Sequence, residues 1–194
     1  MPSLTLSLPP LWQLTDEQLV TLAQTNPDLR LERTTQGELI IMSPTGGETG
    51  NANFELYIDL GIWNRQTRLG KAFDSSTGFR LPNGAIRSPD VSWLRQDRWN
   101  CLSPTQRQKF LPLCPDFAIE LVSETDELAK TQAKMQEYQD NGLPLGWLIA
   151  PKTQTVEIYR SQHPVEILKS PVRLSGENIL PGFILEISRI WNSL

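Results

Sequence analysis

Apolar and polar positions alternate along this chain in two rhythms, and the places where the rhythm changes predict its elements. Residues 1–14 are rich in Leu and Pro and read as an extended N-terminal arm. Thr15 can cap a helix, Gln18 completes a capping box, and Leu19 and Leu22 supply an apolar face. Asn26-Pro27 ends that helix. Two short apolar runs at 29–32 and 38–42 flank Gly37 and predict a hairpin. After the SPTGG loop, Phe54, Leu56, Ile58, Ile62 and Trp63 recur at spacings of three and four, so 48–65 reads as a helix despite Gly61.

Short strands follow at 73–74, 77–81 and 89–94, with Pro82-Asn83-Gly84 as a turn. Residues 95–113 form a polar insertion in which Ser103-Pro104 can start a short helix. A strand at 116–122, a helix at 126–140 stopped by Gly142, and an apolar strand at 145–150 come next. Segments 155–159 and 165–168 pair as a hairpin, and the tail reads as a loop, a short strand and a last helical turn. The expected class is α/β: one domain over 15–194, with a mixed central β-sheet flanked by helices.

The strand at 116–122 carries an acid. Side chains alternate between the two faces of a strand, so Asp116, Ala118, Glu120 and Val122 share one face. Phe117, Ile119 and Leu121 share the other, which should be core. Ionised carboxylates are almost never buried unless paired or bound to metal. Glu120 therefore either sits on a half-exposed strand, solvated or in an ion pair, or faces a cation. The segment RSPDVSWL repeats the form, with Asp90, Ser92 and Leu94 on one face and Val91 and Trp93 on the other. Asp90 is either a turn residue bonding its own backbone or the partner of Glu120 across neighbouring strands. Two such carboxylates repel, and Mg²⁺, which takes oxygen ligands, relieves the repulsion. On a wheel of about 100° per residue, Leu128, Thr131, Met135 and Tyr138 form the inward stripe of the 126–140 helix. Lys134 falls at the edge of that stripe and Lys130 faces away. Lys134 either covers apolar surface with its stem or reaches the acids. Trp93 and Trp147 lie in strand patterns and are expected in the core.

Composition narrows the classes. The 194 residues are 39% hydrophobic and 21% charged, as in a globular chain. A net charge of −4 disfavours nucleic-acid binding by bulk electrostatics. Two cysteines and one histidine exclude a zinc site and a disulfide framework, and a reducing cytoplasm is expected. No apolar run reaches the ~18 residues of a membrane span. The N-terminus has no basic region ahead of a long apolar core, so no signal peptide is expected.

An Asp after Pro, an acid on the following strand and a nearby Lys resemble the PD-(D/E)XK nuclease superfamily. More narrowly, SPTGGETGNANFEL, FDSSTGFRLPNGAIRSPDVSW, CPDFAIELVS, KMQEYQDNG, LGWLIAP, VEIYR and LPGF, in that order, resemble the bacterial "putative restriction endonuclease" family of unknown function. The resemblance implies a metal-dependent endonuclease hydrolysing phosphodiester bonds in DNA, with Mg²⁺ or Mn²⁺ as cofactor. It implies Asp90 and Glu120 as metal ligands, with the backbone carbonyl of Leu121 contributing. Val122 stands where the superfamily has its lysine, so Lys134, on the next helix, is implied as the migrated catalytic amine. An acid of the early helix often joins such sites. Glu48 and Glu55 can share one face, and Glu55, flanked by Phe54 and Leu56, is the expected contributor. Arg87, Arg95, Arg98, Arg107 and Lys109 either grip phosphates or belong to a solvated loop. The missing lysine at 122 and the acidic charge leave a second class open, an inactive nuclease-fold binding or interaction module. A glycosidase built on two carboxylates gives the lysine no role. A homodimer is expected, since superfamily members that cut duplexes often act as dimers, with the arm at 3–12 available to pack on a partner.

Overall fold

The computed structural model describes residues 3–123 and 127–191. Met1 and Pro2 of the arm, the expected helix start at Asp126, and residues 192–194 lie outside them. The arm is extended at β1 (Ser3–Leu6) and turns once at Pro10–Trp12. Helix α1 (Asp16–Thr25) starts on the expected capping box: Thr15 accepts from the Gln18 amide while the Gln18 side chain accepts from the Thr15 amide. Strands β2 (Arg30–Arg33) and β3 (Leu39–Met42) form the expected hairpin. Gly37 makes its turn at φ 82°, a left-handed value that a side chain would strain. Helix α2 (Gly47–Thr67) buries Ala52, Asn53, Leu56, Leu60 and Trp63.

Next come β4 (Gly70–Asp74), β5 (Phe79–Arg80), β6 (Ile86–Arg87) and β7 (Val91–Arg95). The insertion holds two short helices, α3 (Gln96–Asn100) and α4 (Pro104–Arg107), the latter capped by Ser103 as its sequence suggests. The chain continues through β8 (Phe117–Leu121), α5 (Leu128–Asp140), β9 (Leu145–Ala150), β10 (Thr155–Arg160) and β11 (Glu166–Lys169). It closes with β12 (Arg173–Ser175), β13 (Ile184–Glu186) and α6 (Ser188–Trp191).

The central sheet runs β11-β10-β9-β8-β7-β4. It is mixed: β8 and β9 are parallel and the other neighbours antiparallel. Helix α5 is the crossover that the one parallel pair requires. The expected alternation in β8 holds. Phe117, Ile119 and Leu121 pack with Trp93, Trp147 and the buried face of α2. Ala118, on the opposite face, packs with Met135 and Tyr138 of α5. Gly146 makes that second contact possible, because a Cβ there would lie 2.5 Å from the Met135 methyl and 2.7 Å from Leu143.

A second sheet, absent from the sequence reading, runs β1-β3-β2-β6-β5. Strands β5 and β6 have two residues each, too few to show alternation. This sheet encloses its own small core of Leu19, Leu31, Leu39 and Ile86. It stands beside the carboxyl end of β8, across a cleft from α5.

Candidate active site

Asp90 immediately precedes β7, and Val91 pairs with Ile119. That register sets Asp90 beside Glu120, so the two acids meet at the ends of neighbouring strands as their sequence pattern suggests. Asp90 Oδ2 accepts the Leu121 amide at 2.9 Å; the amide of Leu121 is thus tied to the acid pair. Glu120 is only 6% exposed. Its Oε1 accepts from Lys134 Nζ at 2.9 Å and from the Tyr138 hydroxyl at 3.1 Å. Lys134 arrives from α5 at the edge of the stripe anchored by Met135 and Tyr138. Leu128, expected on the same stripe, is 39% exposed at the first position of the helix.

Lys134 has a partner that sequence reasoning missed. Glu32 of β2, 2% exposed, accepts from Lys134 Nζ at 2.8 Å and from the Ser88 amide at 2.9 Å. Lys134 also donates to the Ser88 carbonyl at 3.3 Å. Arg87 links Glu32, at 3.2 Å, to Glu137 of α5. One ammonium is therefore ringed by oxygens from β2, the turn before β7, and β8. No sequence signal pointed to Glu32: LRLER alternates regularly, and the face holding Glu32 gains meaning only when the second sheet docks.

The electrostatics follow from burial. Burial pushes the Glu120 carboxyl up to about 8; Lys134 opposes this, and Asp90 and Glu32 add to it. Asp90 is likewise raised by burial, against the pull of Lys134 and the Leu121 amide. Glu32 is lowered: burial works against ionisation, but Lys134, Arg87 and the Ser88 amide outweigh it. Lys134 is raised because Glu120, Glu32 and Asp90 together overcome its desolvation.

Glu55 is not brought to this cleft. It is half-exposed on α2, off the helix's buried face. Its charge acts on Asp59, one turn on, which faces Arg189. The supposed anchor Phe54 is itself 58% exposed. Glu48 instead lines a smaller hollow that shares Thr49, Leu121 and Ser123 with the cleft. The arginines proposed to hold phosphate are engaged elsewhere. Arg95 pairs with Asp97, Arg98 with Asp116, and Arg87 lies between Glu32 and Glu137. Arg107 donates to the Trp99 carbonyl and lies over the Trp99 ring. Neither these residues nor Lys109 lines the cleft, Arg87 excepted.

The donor set suits a hard divalent cation. The side chains that could hold it offer only carboxylate oxygens, the preference of Mg²⁺, and Lys134 and Arg87 stand against the buried Glu32 and Glu120 and the half-buried Asp90. Among the described residues no group of three or more His, Cys, Asp or Glu is arranged to hold a metal. The two carboxylates Asp90 and Glu120, with water completing the shell, are within the range Mg²⁺ uses.

A mixed sheet with acids at the ends of adjacent strands and a lysine from the crossover helix defines a restriction-endonuclease-like fold. The structure is similar to the crystal structure of a putative nuclease from Anabaena variabilis, with a TM-score of 0.76 and 21% identity. The match covers 93% of this chain and 98% of that one. The chain belongs to the Uma2 family, described as "putative restriction endonuclease", whose model matches residues 16–188. No curated protein matches it.

Proposed function

We propose that the cleft hydrolyses phosphodiester bonds in DNA as a Mg²⁺- or Mn²⁺-dependent endonuclease of the cytoplasm. The observation that carries this reading is the convergence of Asp90, Glu120 and Lys134, which lie far apart in sequence. Asp90 and Glu120 would hold the cation, with the Leu121 carbonyl as a further oxygen. When bound, the cation supplies charge at the phosphoryl oxygen and a more acidic water. The chain's own part is orientation. Glu32 and the Ser88 carbonyl fix the Lys134 ammonium beside Glu120, where it can align the attacking water and offset negative charge developing on phosphorus. Tyr138 holds the Glu120 carboxyl from the protein side. Glu32, Glu120 and Lys134 are largely buried at the cleft floor, so their charges act in a lower dielectric than water. We further propose that the working form is a homodimer.

The test is cleavage of labelled DNA with Mn²⁺ by wild type and Asp90→Ala. Cutting by wild type with a loss of about 10²-fold or more in the variant is expected, the scale of removing one electrostatic stabiliser. Equal cutting by both would refute the assignment. A second reading has one observation in its favour: the Lys134 ammonium already satisfies Glu32 and Glu120. A nuclease-fold binding module could retain such a pair for stability alone. Calorimetry separates the two, since a saturable Mn²⁺ heat that disappears in Glu120→Ala belongs to the enzyme.

A further inference from the structure

We infer that the substrate enters this cleft as a single polynucleotide strand and that an intact duplex is excluded; the inference rests on the nuclease reading above. The acids lie on a floor between two walls. Thr5 of β1 and Ile40 and Met42 of β3 line one wall, and Lys130 and Thr131 of α5 line the other. At the floor, side-chain exposure is 3% for Glu32, 7% for Glu120 and 15% for Lys134. A phosphate must therefore descend between the walls to reach them.

For a rigid duplex to bring a phosphate so low, a wall would have to enter a groove. The major groove is about 12 Å wide and admits one helix or a two-stranded ribbon. The sheet wall does not have that form, and the helix of the other wall does not stand free of the protein. Strands β1, β3 and β2 lie side by side in a five-stranded sheet. Helix α5 is held down on the central sheet through the fully buried Met135 and Tyr138. The cleft's volume of ≈ 760 Å³ falls in the range of small-molecule pockets, about 300–1,000 Å³. That volume suits a few nucleotides of one strand.

Charge argues the same way by a separate route. The lining holds six acids, Glu32, Glu38, Asp90, Glu120, Glu127 and Glu137, against the bases Arg30, Arg87, Lys130 and Lys134. A duplex carries one charge per about 1.7 Å and a single strand one per about 3.4 Å, and a lining that a bound divalent cation brings only to neutrality has no surplus positive charge to hold the denser of the two. The arginines of the insertion that could have offset this are already paired with the protein's own groups. The space also continues past the acids. A hollow of ≈ 290 Å³ shares Thr49, Leu121 and Ser123 with the cleft and has Lys152 at its rim. A strand lying across the acids thus has room on both sides of the bond to be cut.

The experiment uses one labelled sequence in three forms with Mn²⁺: single-stranded, duplex with a long unpaired overhang, and blunt duplex. Wild type and Asp90→Asn are compared on each, and anisotropy measures binding of the variant to each form. Cleavage of the single strand at least ten-fold faster than the blunt duplex is expected, with cuts in the overhang substrate confined to its unpaired part. The variant should bind single strand more tightly than duplex. Blunt duplex cut or bound as well as single strand overturns the inference and leaves the nuclease reading standing. If no form is cut in an Asp90-dependent way, the nuclease reading and this inference fall together.

Discussion

Lys134 is the residue on which the site turns, because one ammonium serves Glu32, Glu120 and the Ser88 carbonyl at once. The same position that would let it act on a phosphate under the proposed function puts it in competition with any cation bound by the same oxygens. Two unit charges about 4 Å apart in a medium of ε about 20 interact by about 4 kcal/mol, so the conflict is large on the scale of binding. Replacing Lys134 with Met keeps the stem and removes the charge. The variant is expected to cut about 10²–10³-fold more slowly, yet to bind Mn²⁺ at least as tightly as wild type by calorimetry. A variant that cuts normally, or that no longer binds Mn²⁺, contradicts the role given to Lys134. Asp90 and Glu120 were legible in the sequence because each is an acid in a segment whose neighbours must be buried. Glu55 misled for a related reason. Its flanking apolar residues suggested anchorage, but Phe54 points to solvent, and adjacent positions on a helix do not share a face.

Among the elements, α5 is placed by a single permissive position. Gly146 of β9 leaves the space that the Met135 methyl and the Leu143 side chain fill. Gly146→Val pushes into that contact, at a cost typical of overpacking, about 1–3 kcal/mol. The shift should reach Lys134, the residue before Met135. We expect the folded variant to lose cleavage by more than its lost stability explains, measured by denaturation and by rate on the same preparation. Full activity in a destabilised variant would show that α5 can move without disturbing the site. Most elements could be read from the chain because their periodicity is long or their punctuation strong: the Thr15 box, the apolar 145–150 run, the turns at Gly37 and Gly142. Strand β6 escaped because two residues carry no period, and with it escaped the pairing that joins the 77–81 strand to the β2–β3 hairpin, hence the second sheet and its Glu32.

For the whole molecule, no helix among the described residues is long and apolar enough to cross a membrane. Four large side chains of the N-terminal segment stand in the open, Leu4 at 57%, Leu6 at 37%, Leu11 at 95% and Trp12 at 70% exposure. Strand β1, which carries the first two of them, is an edge of its sheet, and free edges and apolar patches both invite pairing. Light scattering should give twice the 22.0 kDa chain mass, reverting to the monomer on Leu11→Ser with Trp12→Ser. A monomeric wild type removes the dimer. Association of this kind could not be ranked from sequence, since a Leu/Pro-rich arm has the same composition whether it packs on its own chain or on another.

Glu32 belongs to one sheet, Glu120 to the other, and the lysine that joins them to the helix between. The proposed hydrolytic site is therefore a property of the docked pair. A chain whose first sheet has swung away carries every chemical group except the arrangement. On the proposed nuclease reading, a chain in which the two sheets are not docked would not cut, which would spare the cell an active nuclease that is only partly formed.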